Sequence, residues 1–276
     1  LDLFIIGGYY EKGKFPSVLL TVSGETGEFK SFFTLENTDG SNFYGLPSGL
    51  TSSDSVIFIT GSGTAHTISS ETLKSAKSGS SVQFESTFNI MTNGDFAAVG
   101  NNTLYIGEKI DSAESSRNDE LSLTTLETGE TFYAYCECYS LVDGLPKSEN
   151  IKSDSTGYIP DSFIAIPDNV TGISVIQSGD FVVSSCSDAK TDSNISVYEN
   201  FFSEQKISVF TIDEKEIPIF ASSDELLKTT YTAPPLAQSI TNFEAFVIIL
   251  FSSGAAGIRN GECKFPIDTL YKGEIN

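Results

Sequence analysis

Apolar and polar residues alternate along most of this chain in short runs that end at clusters of Gly, Ser, Asn and Asp. A period of two is typical of β-strands with one buried face, and such clusters are typical of tight turns. The run 82–90 shows the alternation clearly. The pattern predicts strands at 3–6, 17–23, 29–35, 56–60, 82–90, 96–99, 104–106, 121–126, 132–139, 151–158, 162–166, 172–176, 181–184, 195–198, 207–212, 217–220 and 245–251.

Helical patterns are scarce by comparison. One helical turn is predicted at 222–228, where Ser223 and Asp224 can cap the residues that follow. Helices long enough to connect parallel strands are missing from the pattern, which argues against an α/β fold. Many short strands at a spacing of roughly 8–12 residues are typical of a sandwich, barrel or propeller. The predicted fold class is therefore all-β.

The segment 111–120 differs from the rest of the chain. It is a polar and charged run without apolar periodicity. Such composition predicts a linker or an exposed loop.

Charge narrows the possible partners. The 276 residues include 37 acidic and 16 basic side chains, which gives a formal charge of −21. Wrapping of nucleic acid needs clustered Lys and Arg, and an anionic membrane surface repels so acidic a chain. The longest apolar stretch, 245–251, is far too short to span a bilayer. We therefore predict no membrane partner. The negative charge is expected to keep the protein soluble or to prevent its binding to another anion.

Candidate catalytic groups are few. His66 is the one histidine and has no nucleophile motif around it, so a catalytic role is not predicted. Cys136 and Cys138 share a strand face, where a bridge is geometrically poor, and Cys186 and Cys263 are distant in sequence. We expect buried free thiols. The predicted site residues are none for catalysis, none for a cofactor and none for a metal, because no clustered ligand spacing occurs.

Two oxygen-rich segments and three sequons remain. The segments 37–40 and 188–192 lack the full ligand ladder of a calcium loop, and ordinary turn chemistry explains them better. The sequons begin at Asn101, Asn169 and Asn194, and they matter only in a secreted eukaryotic protein.

A first resemblance appears in the middle of the chain. Residues 126–135 read L-E-T-G-E-T-F-Y-A-Y, and residues 141–149 read L-V-D-G-L-P-K-S-E. Together they are similar to the fibronectin type III-like pattern L-x-x-G-x-x-Y-x-Y followed by D-x-G-x-x-S. The resemblance implies a turn at Gly129, core positions for Tyr133 and Tyr135, and a hairpin tip at 143–144.

A second resemblance covers residues 220–276. Residues 222–226, the diproline run T-Y-T-A-P-P-L-A at 230–237, I-T-N-F at 240–243, the strand 245–251, I-R-N at 258–260 and F-P at 265–266 follow one another. This order resembles structural proteins of short-tailed bacteriophages, in which a fibronectin-like module precedes a diproline stretch that enters a propeller blade. Residues 95–106 resemble a strand pair of an earlier blade in that family.

The resemblance implies an architecture of β-propeller-like blades with an inserted fibronectin III/Ig-like sandwich module. The implied boundaries are 1–109 for the first blades, 110–160 for the inserted module and 161–276 for the remaining blades.

The same resemblance implies a function without enzymatic activity. Such a protein is a virion component of the tail nozzle or hub, and it assembles as a homo-oligomeric ring beside portal and adaptor proteins. The ring helps to retain and conduct DNA, whose passage is independent of sequence. An acidic lumen would repel phosphates, so that DNA slides instead of binding.

Other functions remain open on the residues alone. An extracellular adhesin or surface-layer module with a fibronectin-like domain would suit the sequons and the acidic, Ser/Thr-rich surface. Other virion parts, such as a capsid jelly roll or a decoration protein, and a glycan-acting propeller enzyme are further alternatives.

Overall fold

The computed structural model describes residues 3–10, 13–111, 124–243, 246–254, 258, 263, 265–267 and 269–274. These residues are mostly strands. The strands are β1 (Leu3–Gly8), β2 (Val18–Ser23), β3 (Phe29–Glu36), β4 (Gly49–Ser52), β5 (Val56–Gly61), β6 (Thr64–Ser69), β7 (Ser81–Gln83), β8 (Ser86–Asn89), β9 (Phe96–Gly100), β10 (Thr103–Gly107), β11 (Thr124–Thr125), β12 (Thr131–Phe132), β13 (Ala134–Val142), β14 (Leu145–Pro146), β15 (Ser162–Ile166), β16 (Val170–Val175), β17 (Phe181–Ser185), β18 (Ser193–Tyr198), β19 (Ser208–Ile212), β20 (Lys215–Ala221), β21 (Leu227–Ala233), β22 (Ala237–Phe243), β23 (Phe246–Phe251) and β24 (Tyr271–Glu274).

Among the described residues, helical structure is limited to short segments. The α-helix α1 (Ser70–Ser75) begins at Ser69, whose hydroxyl accepts a hydrogen bond from the amide of Thr72 at 3.0 Å. Single 3₁₀ turns occupy Ser148–Asn150, Phe201–Ser203, Asp224–Leu226 and Ser252–Gly254. The prediction of an all-β protein is confirmed.

The described strands form five sheets of three or more strands, numbered here in chain order of their first strands. Sheet 1 has the order β1-β2-β3-β7 and sheet 2 the order β4-β5-β6-β8. Sheet 3 is β9-β10-β13-β15-β20-β19, with β14 beside β13. Sheet 4 is β16-β17-β18-β21 and sheet 5 is β22-β23-β24, while β11 and β12 form a separate hairpin.

Three strands, the first of sheets 2, 3 and 4, run side by side in one direction. A Cβ at Gly49, where β4 begins, would lie 2.7 Å from the amide nitrogen of Ala97 near the beginning of β9. A Cβ at Gly100, the last residue of β9, would lie 2.5 Å from the Cβ of Val175, the last residue of β16. β4 and β9 therefore begin side by side, and β9 and β16 end side by side. The three strands are parallel neighbours.

The first strand of sheet 5 continues this series. The hydroxyl of Thr171 in β16 donates to the carbonyl of Ala237 in β22 at 2.5 Å, and Ser174 donates to Oδ1 of Asn242 at 3.2 Å. The two strands therefore advance together. Four inner strands, β4, β9, β16 and β22, thus surround one axis with their sheets directed outward, which is a four-blade β-propeller arrangement.

Apolar packing lies between successive sheets. One cluster joins sheets 1 and 2, a second joins sheets 2 and 3, a third joins sheets 3 and 4, and a fourth joins sheets 4 and 5. A further cluster covers the outer part of sheet 3 around Tyr135 and Phe163. Sheets 2, 3 and 4 therefore bury both faces, which explains the fully buried residues of β5, β15 and β16.

Two sheets are extended by strands from the next blade. β7 lies between β6 and β8 in the chain but pairs in parallel with β3 of sheet 1. β19 and β20 lie between β18 and β21, and β20 pairs in parallel with β15 of sheet 3. Both insertions connect the third and fourth strands of one blade and cover the outer edge of the preceding one, which ties neighbouring blades together.

The inserted fibronectin III/Ig-like module is not shown by the structure. Within the expected range 110–160, β13 pairs with β10 on one side and with β15 on the other. Strands from the three expected segments therefore share sheet 3. Tyr135 is buried as expected, whereas Tyr133 is half-buried and precedes the strand. The polar run 112–120 and the predicted strand residues 121–123 lie outside the described residues.

Several predicted elements differ in the structure. The predicted strand 82–90 is two strands, β7 and β8, which belong to different sheets. The predicted helical turn at 222–228 is a 3₁₀ turn, Asp224–Leu226, followed directly by β21, because the chain pairs with β18 there. The predicted strand 151–158 is not a strand, and its end residues Ile151 and Tyr158 form one isolated antiparallel bridge. Residue 245 of the predicted strand 245–251 lies outside the described part, and β23 begins at residue 246.

Candidate functional site

A partly open cavity of ≈ 390 Å³ lies between β1 and the inner strands. Four strands contribute most of its walls: β1, β4, β9 and β22. Successive side chains of a strand point to opposite faces, so each strand presents both side chains and backbone to this space. The wall residues are 3–7, 47–48, 50–52, 97–99, 174, 238–243 and 250.

The wall offers hydrogen-bonding groups but no titratable side chain. Among its described residues, the polar ones are Ser, Thr, Gln and Asn, and none is Asp, Glu, Lys, Arg or His. General acid–base chemistry requires a group that can exchange a proton near neutral pH. The cavity is therefore suited to binding an uncharged group or a polypeptide backbone.

A second candidate is an exposed aromatic patch, which we define as Tyr9, Tyr10, Phe15, Tyr44 and Leu46. Between 41% and 56% of each of these side chains is exposed. The rings of Tyr10 and Phe15 meet edge to face at 5.3 Å. Exposed apolar residues are ordinary when single, but a group of them indicates a contact surface.

The two segments that carry the aromatic patch are held together. Residues 9–17 connect β1 to β2, and residues 37–48 connect β3 to β4. The amide of Ser17 donates to the carbonyl of Phe43 at 2.8 Å, and its hydroxyl donates to the carbonyl of Gly45 at 2.6 Å. These bonds hold the segment before β2 against residues 43–45, on either side of Tyr44.

Glu137 is a fully buried carboxylate of β13. Its Oε1 accepts hydrogen bonds from the amides of Met91 and Thr92, at 2.9 and 2.7 Å, and from the hydroxyl of Thr92 at 2.8 Å. Its Oε2 accepts from the hydroxyl of Tyr139. Burial, together with the neighbouring Glu137 carboxylate, raises the pKa of Tyr139 well above its usual value. Three of these donors lie at residues 91–92, so Glu137 anchors the connection between β8 and β9.

Two more carboxyl groups, of buried Glu108 and half-buried Asp95, also accept hydrogen bonds from backbone amides. Glu108 accepts a hydrogen bond from the amide of Tyr135 at 3.2 Å. Asp95 accepts from the amide of Lys109 at 2.8 Å. Burial raises the pKa of the Asp95 carboxyl, and the Lys109 amide and ammonium oppose that rise. Neither side chain is part of the cavity wall.

His66 lies in β6 between sheets 1 and 2. Its ring stacks on Phe84 with centroids 4.3 Å apart, and Nδ1 lies 2.8 Å from the hydroxyl of Thr87. Nε2 lies 3.2 Å from the hydroxyl of Thr64. Burial lowers the pKa of His66 to about 4, so the ring is neutral at physiological pH. It is a core residue with satisfied nitrogen atoms.

The cysteines are free thiols. Cys136, Cys138 and Cys186 are buried, and Cys263 is half-buried. Burial raises the pKa of Cys136 well above its usual value, which makes its thiol inert. Cys186 accepts a hydrogen bond from the amide of Leu236 at 3.1 Å and so supports the residue after the diproline.

The oxygen-rich segments close turns. Asp39 accepts from the amide and the hydroxyl of Ser41 at 2.9 and 2.6 Å. Asp188 accepts from the amides of Lys190 and Thr191 at 2.7 and 2.8 Å. These bonds favour the charged form and lower the pKa of both carboxyls. Within the described part of the chain, no group of three or more His, Cys, Asp and Glu side chains could hold a metal ion.

The helices among the described residues are short. No helix among them is both long enough and apolar enough to cross a bilayer.

Comparisons with known proteins identify no relative by sequence. No protein-family model matches the chain, and no curated protein matches it.

Three solved structures are similar at low identity. The PQQ-bound aldose sugar dehydrogenase of Streptomyces coelicolor is 14% identical, with a TM-score of 0.45 and coverage of 93% of this chain and 87% of that one. The WD40 repeats of RRP9 are 8% identical, with a TM-score of 0.41 and coverage of 100% and 98%. The hydrazine synthase of Kuenenia stuttgartiensis is 4% identical, with a TM-score of 0.38; the match covers 84% of this chain and about half, 49%, of that one. Likenesses at this level say nothing about activity.

Sequence reasoning missed both the cavity and the aromatic patch. The cavity depends on how distant strands meet, and two of its wall strands, β4 and β22, were not predicted. The aromatic patch had a local signal, because Tyr9 and Tyr10 follow the strand-ending pair Gly7-Gly8, a position where buried side chains are not expected.

Proposed function

We propose that this chain is a structural β-propeller without enzymatic activity, which functions by packing against other proteins. The aromatic patch carries the proposal. Cores of protein interfaces are enriched in Tyr and Phe and depleted of charged residues, and aromatic side chains supply much of the binding energy. Four of the five side chains in the patch are Tyr or Phe. Hydrogen bonds on either side of Tyr44 reduce the conformational entropy lost on binding.

As the setting, we propose a homo-oligomeric ring in the tail nozzle or hub of a short-tailed bacteriophage. The support is the order of segments at 126–149 and 220–266 that resembles such proteins, together with the charge of −21. A contact between the aromatic patch of one copy and a different surface of the next would be heterologous, and heterologous contacts generate closed rings when the rotation closes. An acidic ring would let DNA pass by repelling its phosphates.

The test is the oligomeric state of the purified 276-residue chain, measured by light scattering and negative-stain electron microscopy. We expect closed rings with cyclic symmetry. The double variant Phe15→Ser/Tyr44→Ser should yield monomers. Phe29→Ser is the matched control, because Phe29 is equally exposed at 58% but lies on β3 outside the patch; this variant should still form rings.

Two outcomes would contradict the proposal. Monomers at every concentration, or rings that survive the double substitution, would exclude self-association through the aromatic patch. Fibres or flat lattices would favour the second candidate, an extracellular adhesin or surface-layer module. The observation in favour of that candidate is that Asn101 and Asn194, which begin two of the sequons, are exposed.

A further inference from the structure

β1 runs against the direction of the four inner strands. Its first residues lie near the end of β22, where the rings of Phe4 and Phe243 meet at 5.7 Å. Its last residues lie near the beginning of β4, where a Cβ at Gly7 would be 3.2 Å from the Cβ of Pro47. β22 and β4 run parallel to each other within the ring. A strand that goes from the end of one to the beginning of the other is antiparallel to both.

In the part of the chain that the structure describes, the inner edge of β1 carries no strand. β1 pairs with β2 along Leu3–Gly8, and it is the terminal strand of sheet 1. Among the described residues, no second strand pairs with it. Residues 3–7 line the cavity, so the edge that β2 leaves free faces that space. Half of the amide and carbonyl groups of a strand point to each edge, and those at a free edge form a template for another strand.

The packing around the ring is interrupted at the same place. An apolar cluster lies between each pair of successive sheets from sheet 1 to sheet 5. Between sheet 5 and sheet 1, the described residues form no such cluster, and the edge contact of Phe4 with Phe243 is the aromatic contact that joins them. Ile5, the next residue, faces the other way and packs between sheets 1 and 2. The sector between β22 and β4 therefore contains sheet 1, which has no inner strand of the common direction among the described residues.

We propose that the cavity binds an extended segment of another protein, which pairs with the free edge of β1 as an antiparallel strand. Such a strand would run parallel to β4, β9, β16 and β22 and would take the inner position of sheet 1. Strand addition at a sheet edge derives its affinity from main-chain hydrogen bonds and its specificity from the pockets for side chains. This inference concerns a different surface from the aromatic patch and is independent of it.

The dimensions and chemistry of the cavity define the segment. Five residues of β1, residues 3–7, line it, so a segment of about five or six residues matches the edge at about 3.4 Å per residue. Because the wall carries no charged side chain, a charged residue of the bound segment would be buried without a partner. This disfavours Asp, Glu, Lys and Arg in the segment. The volume of ≈ 390 Å³ favours small side chains such as Ser, Thr, Ala and Val.

The probe is a fluorescein-labelled, end-blocked peptide of sequence Ser-Val-Thr-Val-Ser-Val-Thr-Ser, titrated with the 276-residue chain and followed by anisotropy. Two N-methylated versions of the peptide are the matched controls. One carries methyl groups on the odd amides and the other on the even amides. Because only one set of amides can face β1, one version should lose affinity by about tenfold or more, while the other retains it. Bound peptide should also slow hydrogen exchange of the β1 amides.

A wall substitution tests the location. Ser239→Trp fills the cavity from β22 and should abolish binding, whereas Ser208→Trp on the exposed strand β19 should leave it unchanged. Circular dichroism checks that both variants are folded. Absence of peptide binding, equal loss with both methylated versions, or unchanged binding to Ser239→Trp would each overturn the proposal. A dimer whose β1 amides are already protected from exchange, and which does not bind the peptide, would identify a second copy as the occupant and would also overturn it.

Discussion

A carboxylate at the centre of β13 connects two blades. Glu137 has no exposed surface, and its four hydrogen-bond donors come from β13 itself and from residues 91–92, between sheet 2 and sheet 3. A buried polar group is tolerated when it is fully hydrogen-bonded. Its role is therefore to fix the path of the chain from β8 to β9.

Removal of that carboxylate should be costly. Glu137→Leu would leave the buried amide of Thr92 and the partly buried amide of Met91 without acceptors, and we expect a loss of about 3 kcal/mol in the free energy of unfolding. Glu137→Gln keeps one acceptor oxygen and should lose less. Urea denaturation of both variants measures the difference. Equal stability of Glu137→Leu and the unaltered chain would contradict the anchoring role.

His66 should make stability depend on pH. Its pKa is lowered to about 4 from 6.5 by burial, so the unfolded chain binds a proton more readily. The contribution is complete above pH 6.5 and is lost as the pH falls from 6.5 towards 4, with an upper limit of about 3 kcal/mol.

The measurement compares urea midpoints at pH 7 and pH 5 for the unaltered chain and for His66→Phe. The carboxylates titrate in both proteins, so the difference between the two slopes isolates the one histidine. We expect the variant to be less sensitive to pH in this range. Identical slopes would show that His66 is not buried as a neutral ring.

At the scale of elements, the close approach of the inner strands depends on glycine. A Cβ at Gly49 would lie 2.7 Å from the amide nitrogen of Ala97, a distance that real Cβ atoms do not adopt. Gly49→Ala should push β4 away from β9 and destabilise the protein by about 1–3 kcal/mol. Gly273→Ala is the control, since a Cβ there meets nothing within 4 Å. Thermal unfolding of both variants checks the prediction, and similar melting temperatures would contradict it.

At the scale of the whole molecule, the charge of −21 opposes compaction. Raising the salt concentration from about 10 mM to about 0.15 M shortens the screening length from about 30 Å to about 8 Å. Screening also weakens surface ion pairs such as Lys228 with Asp180, at 3.0 Å, but these are worth little. We therefore expect the urea midpoint to rise with salt, and a fall would show that attractive pairs dominate.

Strand existence was predictable where side chains alternate and turns are marked. β2, β3, β5, β10 and β17 lie close to the predicted ranges. Local pattern failed at the segment 82–90, because Gln83 and Ser86 lie only three residues apart yet belong to strands of two sheets. It also missed α1, whose capping signal at Ser69 stands in a Ser/Thr-rich run that resembles a strand end.

The sequence predicted no part of the candidate site. The expectation of no catalytic and no metal residues stays a prediction. Cys136 and Cys138 lie together in the cluster between sheets 3 and 4, and His66 stacks on Phe84. The cavity could not be predicted, since its wall unites residues from 3 to 250 of the chain. A pattern within a short segment carries no information about residues so far apart in sequence.

The sequence by itself determined the secondary structure class and the acidic, titratable character of the chain, because alternation, turn residues and charge are local properties. Only the tertiary structure decided which strand lies beside which. The parallel additions of β7 to β3 and β20 to β15, and the reversed direction of β1 beside β22, arise from contacts between residues that are far apart in sequence. Loop closure and the burial of both sheet faces select those pairings, and these terms belong to the whole chain.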